Sequence, residues 1–257
     1  MKIKFILLGT GSSMGVPRAD GFFGNCDPMN KKNYRTRCSA LISTGYSNTL
    51  IDTSPDIRQQ LLSKKISTID KVLYTHMHAD QTHGINELRV FYLNNKKKIP
   101  IYCDKTTAKY LKANFSYCFI KNYDYPPILD LKILKNSSTL MSVNKDINVR
   151  AVPVRHGLID SVAYIINEKL AYISDANQLY NKDIKYFVNL KYLVIDCLRL
   201  KKHPSHFNLK EVLKIVSLLK PKKTVLTNLH SDLDYNHLLK TLPNNIKPGY
   251  DGLSLNI

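Results

Sequence analysis

Two histidines and an aspartate stand at alternate positions directly after a short apolar run, and this feature constrains the fold more than any other. The run at residues 71–75 has the β-branched and aromatic residues of a buried strand, and His76, His78 and Asp80 follow it. On an extended or turning backbone, alternate residues project to the same side. Both imidazoles can therefore converge on one metal ion while Asp80 reaches a second position nearby. The sequence predicts a metal-ligand loop at the end of a strand.

Apolar runs of strand character and segments of helical period share the rest of the chain. The early part is dominated by strands and the later part alternates, which together with the length predicts a single domain over residues 1–257. A short loop is predicted at residues 136–138. Ser54 before Pro55 and Asn208 before Leu209 are candidate helix N-caps. Strands are predicted at residues 3–8, 39–42, 49–52, 71–75, 99–103, 149–154, 162–166, 170–174, 192–197 and 224–227, and helices at 55–62, 107–115, 182–188, 209–219 and 235–242.

The cysteines argue against an oxidised or cysteine-rich zinc protein. Their number, five, is odd, they are scattered, and none forms a Cys-x-x-Cys pair. The apolar start of the chain resembles a signal peptide, but Gly9-Thr10-Gly11 ends the run before it reaches the length of a signal core. No stretch is long enough to span a bilayer. A cytoplasmic protein without membrane contact is expected.

The formal net charge of +18 suggests a polyanionic partner. However, the lysines occur in short groups interleaved with asparagines rather than in one cluster, so nucleic-acid binding stays open but is not favoured. The turn Gly9-Thr10-Gly11-Ser12-Ser13 lacks the lysine of a phosphate-binding P-loop. It is expected to be a tight strand exit that lines the site.

Two further candidate ligands follow predicted strands. His156 comes after the strand at 149–154, and Asp175 comes after the strand at 170–174. Loops at the carboxyl ends of strands often carry chemistry. A lone histidine or aspartate in such a place is more often structural. The presence of the first cluster strengthens the case that His156 and Asp175 are metal ligands.

Taken together, these residues resemble the metallo-β-lactamase superfamily and, within it, the phosphoribosyl 1,2-cyclic phosphate phosphodiesterase family. The resemblance extends over essentially the whole chain. The matching motifs are Gly9-Thr10-Gly11 with Gly15-Val16-Pro17, Arg37-Cys38-Ser39, the loop from His76 to Asp80, Ile173-Ser174-Asp175, Asp196-Cys197, residues 206–209 and Asp251-Gly252.

The resemblance implies an α/β fold, a four-layer αββα sandwich with a two-metal site at the edge between its sheets. By the same resemblance, His76, His78 and His156 would hold the first ion. Asp80 would serve the second ion, and Asp175 would bridge the two.

Two departures from the family pattern affect the second ion. The resemblance leads us to expect a histidine at the position of Gln81 and another at the position of Asn228. An amide oxygen is a weaker ligand than imidazole, so zinc affinity should fall there and preference should shift toward manganese. His230 is the predicted replacement ligand. Close relatives also carry several cysteines near Cys26, and because only one stands here, no separate zinc knuckle is expected.

The remaining candidates serve the reaction or the scaffold. His206 matches the family's additional catalytic histidine, and with Asp80 it completes the predicted catalytic pair. Asp52 would support the His76 loop by hydrogen bonding. His83 is expected to be structural, and Arg89 to attract an anionic substrate without touching the chemistry.

These features predict a metal-dependent hydrolase with one or two divalent ions, zinc or manganese. It would hydrolyse a small cyclic, ribosyl or nucleotide phosphodiester by attack of a hydroxide generated at the metal. One alternative is an RNA-processing endonuclease of the same superfamily, which the charge favours and the lack of a long basic insertion opposes. Another is a metal-binding protein whose second metal site has degraded. The sequence leaves a homodimer open.

Overall fold

The computed structural model describes residues 3–121, 123–134 and 138–257. Within these ranges the chain forms fifteen strands, six α-helices and several short 3₁₀ helices. The strands are β1 Lys4–Gly9, β2 Ser39–Ser43, β3 Asn48–Ile51, β4 Lys71–Leu73, β5 Ile99–Cys103, β6 Leu129–Ile133, β7 Thr139–Asn144, β8 Ile147–His156, β9 Ile159–Ile166, β10 Leu170–Ile173, β11 Gln178–Leu179, β12 Tyr192–Asp196, β13 Lys223–Thr227, β14 Ile246–Pro248 and β15 Ser254–Asn256. The helices are α1 Ile57–Ser63, α2 Ala79–Thr82, α3 Arg89–Asn95, α4 Lys105–Asn114, α5 Leu209–Leu219 and α6 Tyr235–Thr241.

The strands form two sheets, each with an antiparallel side and a parallel side. The first sheet has the order β15-β1-β2-β3-β4-β5-β6, and β3 to β6 are parallel. The second has the order β11-β8-β9-β10-β12-β13-β14, with β7 also paired to β8, and β10, β12, β13 and β14 are parallel. Because parallel strands end at the same edge, each sheet collects several strand-end loops on one side.

The sheets pack face to face, and helices cover their outer faces. Phe5 of β1 and Tyr172 of β10 meet in the core between the sheets, with ring centroids 5.5 Å apart. Side chains alternate along a strand, so the neighbouring Ala171 faces the other core, where α5 and α6 cover the second sheet. Helices α1, α3 and α4 cover the first sheet. The predicted four-layer αββα sandwich is confirmed.

Helix α5 follows its prediction, and a second predicted helix does not. Asn208 caps α5 by accepting a hydrogen bond from the Glu211 amide at 2.9 Å, while the Glu211 carboxylate accepts one from the Asn208 amide at 3.0 Å. This reciprocal capping box fixes the helix start. The helix predicted at 182–188 is wrong, since a 3₁₀ helix over Asn181–Tyr186 stands there.

The start of α1 also differs from its prediction. The helix begins at Ile57 rather than at Pro55, because Ser54 closes a turn before it. The Ser54 hydroxyl accepts a hydrogen bond from the Asp56 amide, and the Ser54 carbonyl accepts one from the Ile57 amide. The Asp56 carboxylate does not cap the helix; it accepts hydrogen bonds from the Arg37 amide and guanidinium. Strands β6, β7, β11, β14 and β15 were not predicted from the sequence.

Two further predictions concern a loop at residues 136–138 and the lack of a membrane-spanning stretch. Residues 136 and 137 of the loop predicted at 136–138 lie outside the described residues. No helix in the described ranges combines the length and the apolar character that crossing a bilayer requires.

Candidate metal centre

The loop after β4 is held between the two sheets by buried polar contacts. Asp52 accepts hydrogen bonds from the amide and the hydroxyl of Thr75 at 2.8 and 2.9 Å. From the second sheet, Val162 donates its amide proton to the Thr75 carbonyl at 2.9 Å, and the Tyr164 hydroxyl donates to the Tyr74 carbonyl at 2.6 Å. The expected hydrogen-bond support from Asp52 is confirmed, and it acts on Thr75, the residue that precedes His76.

Three imidazole rings converge at the end of this loop. His76 Nε2 lies 2.9 Å from His78 Nδ1, and that atom lies 3.2 Å from His156 Nε2. His156 reaches the cluster as the last residue of β8, so the second sheet supplies one nitrogen and the loop from the first sheet supplies two. All three ligand atoms lie within 4.8 Å of one another.

In His156 and His76, the hydrogen bond made by Nδ1 determines that Nε2, the nitrogen facing the cluster, carries a lone pair. His156 Nδ1 lies 2.7 Å from the carbonyl oxygen of Ser205, which can only accept, so Nδ1 carries the proton and Nε2 faces inward without one. His76 Nδ1 lies 3.1 Å from the Thr75 hydroxyl, which donates its own proton to Asp52. His76 Nδ1 is therefore the donor in that pair, and its Nε2 also faces the cluster as an acceptor.

The chemistry of this donor set fits a divalent ion. Burial lowers the pKa of His76 to about 3, and burial also lowers the pKa of His78 and His156, so all three rings are neutral at neutral pH. His78 Nδ1 can donate a proton to only one of the two Nε2 atoms, so lone pairs still face one another unless a cation stands between the rings. Zinc–nitrogen bonds of about 2.0–2.1 Å place tetrahedral ligand atoms about 3.4 Å apart. The observed distances from His78 Nδ1 to the Nε2 atoms of His76 and His156, 2.9 and 3.2 Å, are close to that value.

The carboxyl ends of three parallel strands border the cluster on the side of the second sheet. Asp175 follows β10, Asp196 ends β12, and Asn228 follows β13. The pairing of Asp196 with Thr227 places these strand ends level. The Asn228 amide nitrogen lies 3.3 Å from Asp175 Oδ1 and 3.1 Å from Asp196 Oδ1. All these side chains are buried.

His206 enters the same site from the loop before α5. Its Nδ1 lies 2.7 Å from Asp196 Oδ2, and its ring centroid lies 4.6 Å from that of His156. Burial alone would lower the pKa of His206, but the carboxylate of Asp196 outweighs burial and raises it to about 9. Burial raises the pKa of Asp196 to about 7. A second candidate ligand cluster joins His206 to His156 and Asp175.

The remaining predicted site residues lie around this centre. Asp80 and His230 line the same cavity as the histidines, but neither belongs to a three-residue ligand cluster among the described residues. His230 Nδ1 lies 3.0 Å from the Asp232 carboxylate. Burial and the nearby Asp175 raise the pKa of Asp80 to about 6. Outside the cavity, His83 Nε2 contacts a tyrosine hydroxyl at 2.9 Å, in keeping with its expected structural role.

The cavity at the histidine cluster has a volume of about 320 Å³. Cavities of about 490, 530 and 570 Å³ lie elsewhere, but none of these three is lined by a histidine. Ser12, from the glycine-rich turn, lines the site as expected, and its buried hydroxyl has no hydrogen-bond partner within residues 3–121, 123–134 and 138–257. Arg199 also lines it, and its buried Nε atom likewise has no partner in the part of the chain that the structure describes.

Sequence reasoning missed Arg199 and His203, which both line the cavity. Arg199 follows Asp196-Cys197 by two residues, so its place just beyond a strand end was the available signal. Arg89, the arginine singled out from the sequence, instead lies over the Tyr125 ring, with its guanidinium carbon 5.1 Å from the ring centroid.

Cys26 lies away from the histidine cluster, beside a buried arginine. Its sulfur is 3.8 Å from Arg35 Nη1. The Arg35 guanidinium also donates to the carbonyl oxygens of His230 and Leu233 at 3.4 and 2.7 Å. Arg35 thereby ties the N-terminal loop to the loop that carries His230.

Sequence comparison identifies both a family and a longer relative. A profile of the beta-lactamase superfamily domain matches residues 47–228. The chain is also 32% identical over 255 residues to an octanoyltransferase of Porphyromonas gingivalis (strain ATCC BAA-308 / W83). This match covers 98% of the chain and 51% of the relative, so the chain spans about half the length of the curated protein it matches.

Solved structures with the same architecture include a diphosphatase from the PhnP family, with a TM-score of 0.88, 28% identity and coverage of 99% of this chain and 98% of that one. Zn(2+)-bound PqqB from Methylobacterium extorquens has a TM-score of 0.80 and 16% identity, with coverage of 99% and 100%. The short form of human tRNase Z has a TM-score of 0.70 and 15% identity, with coverage of 98% of each chain. The last two likenesses concern the fold alone.

Proposed function

Because the chain belongs to the metallo-β-lactamase superfamily of hydrolases, we propose that it is a metal-dependent phosphodiesterase that acts on a small anionic phosphodiester. The observation that carries the proposal is the convergence of three neutral imidazole nitrogens, from His76, His78 and His156, at a cavity that is also lined by Arg199 and by the protonated His206. The likeness to a PhnP-family diphosphatase supports phosphorus–oxygen chemistry.

The three histidines would hold the ion, with the carboxylate of Asp175 beside it. When bound, the ion supplies a Lewis acid that polarises a phosphoryl oxygen and acidifies water. The protein fixes the ligand rings through Ser205 and Thr75, which makes the site rigid before substrate arrives.

The unpartnered donors in the cavity would bind the substrate. Ser12 and Arg199 both line the cavity, and the Ser12 hydroxyl and Arg199 Nε have no partner among the described residues, while Arg199 Nη2 donates to the Lys202 carbonyl at 3.1 Å. A guanidinium and a hydroxyl match the non-bridging oxygens of a phosphate, and hydrogen bonds to a charged group are the stronger kind. A cavity of about 320 Å³ suits a sugar phosphate better than a folded RNA.

His206 would protonate the leaving group. Its Nδ1 is committed to Asp196, which leaves Nε2 for the cavity. With a pKa raised to about 9, the ring carries a proton at neutral pH and can transfer it to the departing alkoxide oxygen as the phosphorus–oxygen bond breaks. The products would be an alcohol and a phosphate monoester.

The test is turnover of bis(p-nitrophenyl) phosphate and of a ribose cyclic phosphate by the purified protein with zinc, manganese or cobalt. We expect hydrolysis of the diesters, little action on phosphate monoesters, and loss of activity in His78→Ala. His83→Ala removes a histidine outside the cavity and should retain activity. A protein that binds an ion yet hydrolyses no phosphodiester would refute the proposal.

A tRNA-processing nuclease is the second candidate, supported by the net charge of +18 and the fold shared with tRNase Z. Binding to phosphates through many lysines weakens steeply with salt. Titration of the protein with tRNA at increasing salt, together with a 3′-end cleavage assay, separates the two candidates. Persistent binding at moderate salt with cleavage would favour the nuclease.

Octanoyl transfer, the activity in the name of the longer relative, is less well supported by the cavity. The lining residues are mainly serine, histidine, aspartate and arginine, with Met14 and Leu198 as the apolar members. An octanoyl chain needs an extended apolar channel. Incubation with an octanoyl thioester provides the direct control, and we expect no acyl transfer.

A further inference from the structure

Two amide side chains flank the Asp175 carboxylate, one on each oxygen. The Gln81 Nε2 atom lies 3.3 Å from Asp175 Oδ2 and 3.2 Å from Asp80 Oδ2. The Asn228 Nδ2 atom lies 3.3 Å from Asp175 Oδ1 and 3.1 Å from Asp196 Oδ1. Gln81 is 0% exposed and Asn228 is 1% exposed, so solvent does not compete for these contacts.

The surroundings fix which way each amide points. The Gln81 oxygen is buried and has no partner among the described residues. Turning this amide over would place its oxygen against the carboxylates of Asp80 and Asp175 and would leave its NH₂ group without an acceptor. A buried carbonyl without a partner is tolerated better than a buried N–H group without one. The Asn228 nitrogen is held in the same way, because it lies between two carboxylate oxygens.

From this arrangement we infer that the protein binds a single divalent ion at His76, His78 and His156, and that Gln81 and Asn228 take the place of a second ion. This rests on the proposed function, since it concerns the same site. The amide hydrogens carry partial positive charge toward the carboxylates of Asp80 and Asp175, as a cation would. A second ion would have to displace those hydrogens, and from Gln81 and Asn228 it would gain only neutral amide oxygens, which are weaker ligands than imidazole.

His230 does not supply the missing ligand. Its backbone amide is tied to the Leu198 carbonyl at 2.9 Å, which fixes the residue in the loop after β13. It joins no three-residue ligand cluster within the described residues. The residue lines the cavity wall, so its place is beside the substrate rather than on an ion.

The experiment counts metal ions per chain. The metal-free protein is loaded with zinc or, separately, with manganese, and the bound ions are counted by native mass spectrometry and elemental analysis. We expect one equivalent of either ion. The double variant Gln81→His, Asn228→His should bind two, and its manganese form should show the spin coupling of an ion pair in electron paramagnetic resonance. His230→Ala is the matched control and should still bind one.

The opposite results would overturn the inference. Two equivalents in the natural protein, or none, would refute it, as would a double variant that binds only one ion. If the double variant does not fold, Gln81→Glu tests the same point, because a third carboxylate beside Asp80 and Asp175 should recruit a second manganese ion. One equivalent without phosphodiester hydrolysis would refute the proposed function instead, and two equivalents with hydrolysis would refute only the inference.

Discussion

His206 Nδ1 lies 2.7 Å from Asp196 Oδ2, and this carboxylate oxygen also accepts a hydrogen bond from the Ala176 amide at 2.9 Å. Asp196 is therefore held in place by the backbone of the neighbouring strand end while it orients the imidazole. The ring cannot turn without breaking a buried charge-assisted hydrogen bond, so Nε2 stays directed to the cavity.

The first prediction concerns this pair. Loss of a general acid usually costs about 100-fold or more in rate, so His206→Ala should lower kcat by about that factor and change KM little. Asp196→Asn should lower kcat by about 10- to 100-fold, because it removes the charge that keeps the ring protonated and oriented. Steady-state kinetics on a phosphodiester measures both. His237→Ala, at an exposed position of α6, is the control, and equal losses in all three variants would contradict the assignment.

Arg199 carries the second prediction. A hydrogen bond to a charged group contributes about 1.5–3 kcal/mol, so Arg199→Ala should raise KM for an anionic diester about 10- to 100-fold. The effect on kcat should be smaller. Arg89→Ala serves as the matched control, since Arg89 stacks on Tyr125 outside the cavity. A similar rise in KM for both variants would indicate general attraction by surface charge rather than a contact with substrate.

The positions of the candidate ligands could be predicted from the sequence because they depend on local order. His76, His78, His156 and Asp175 each stand at or just beyond the end of an apolar strand, and that pattern is visible in the residues themselves. Helix α5 was predicted with its observed bounds because its capping box is also local.

Other features depend on contacts between residues that are distant in the sequence, and these features could not be predicted from it. Strand β15 forms by pairing with β1, more than 240 positions away, and is three residues long. The role of Gln81 depends on Asp175, which lies 94 residues further along. Spacing along the sequence carries no information about such contacts.

The third prediction concerns stability against pH in the metal-free protein. An unfolded histidine has a pKa near 6.5, whereas burial lowers the pKa of His76 in the folded chain to about 3. Between these values the unfolded chain binds a proton that the folded chain does not, so stability rises with pH and is lost as pH falls from about 6.5 toward 3. His76→Asn should flatten the slope of unfolding free energy by up to about 1.4 kcal/mol per pH unit. Urea unfolding of both proteins from pH 4 to 7 measures the difference, and parallel slopes would contradict it.

The last prediction concerns Gly157, which follows the ligand His156 with φ at +61°. A methyl group added there would meet the Ser205 side chain at 2.8 Å, and the Ser205 carbonyl accepts the proton of His156 Nδ1. Gly157→Ala should therefore push the two loops apart and weaken zinc binding about 10- to 100-fold, the usual effect of losing a partner behind a ligand. Gly45→Ala is the matched control, because Gly45 also has a positive φ, +89°, but an added methyl group would meet no atom within 4 Å. Both variants should lose about 1–2 kcal/mol of stability from the strained backbone, and only Gly157→Ala should lose zinc affinity in a chelator competition assay. Equal zinc affinity in the two variants would show that contact with Ser205 does not position His156.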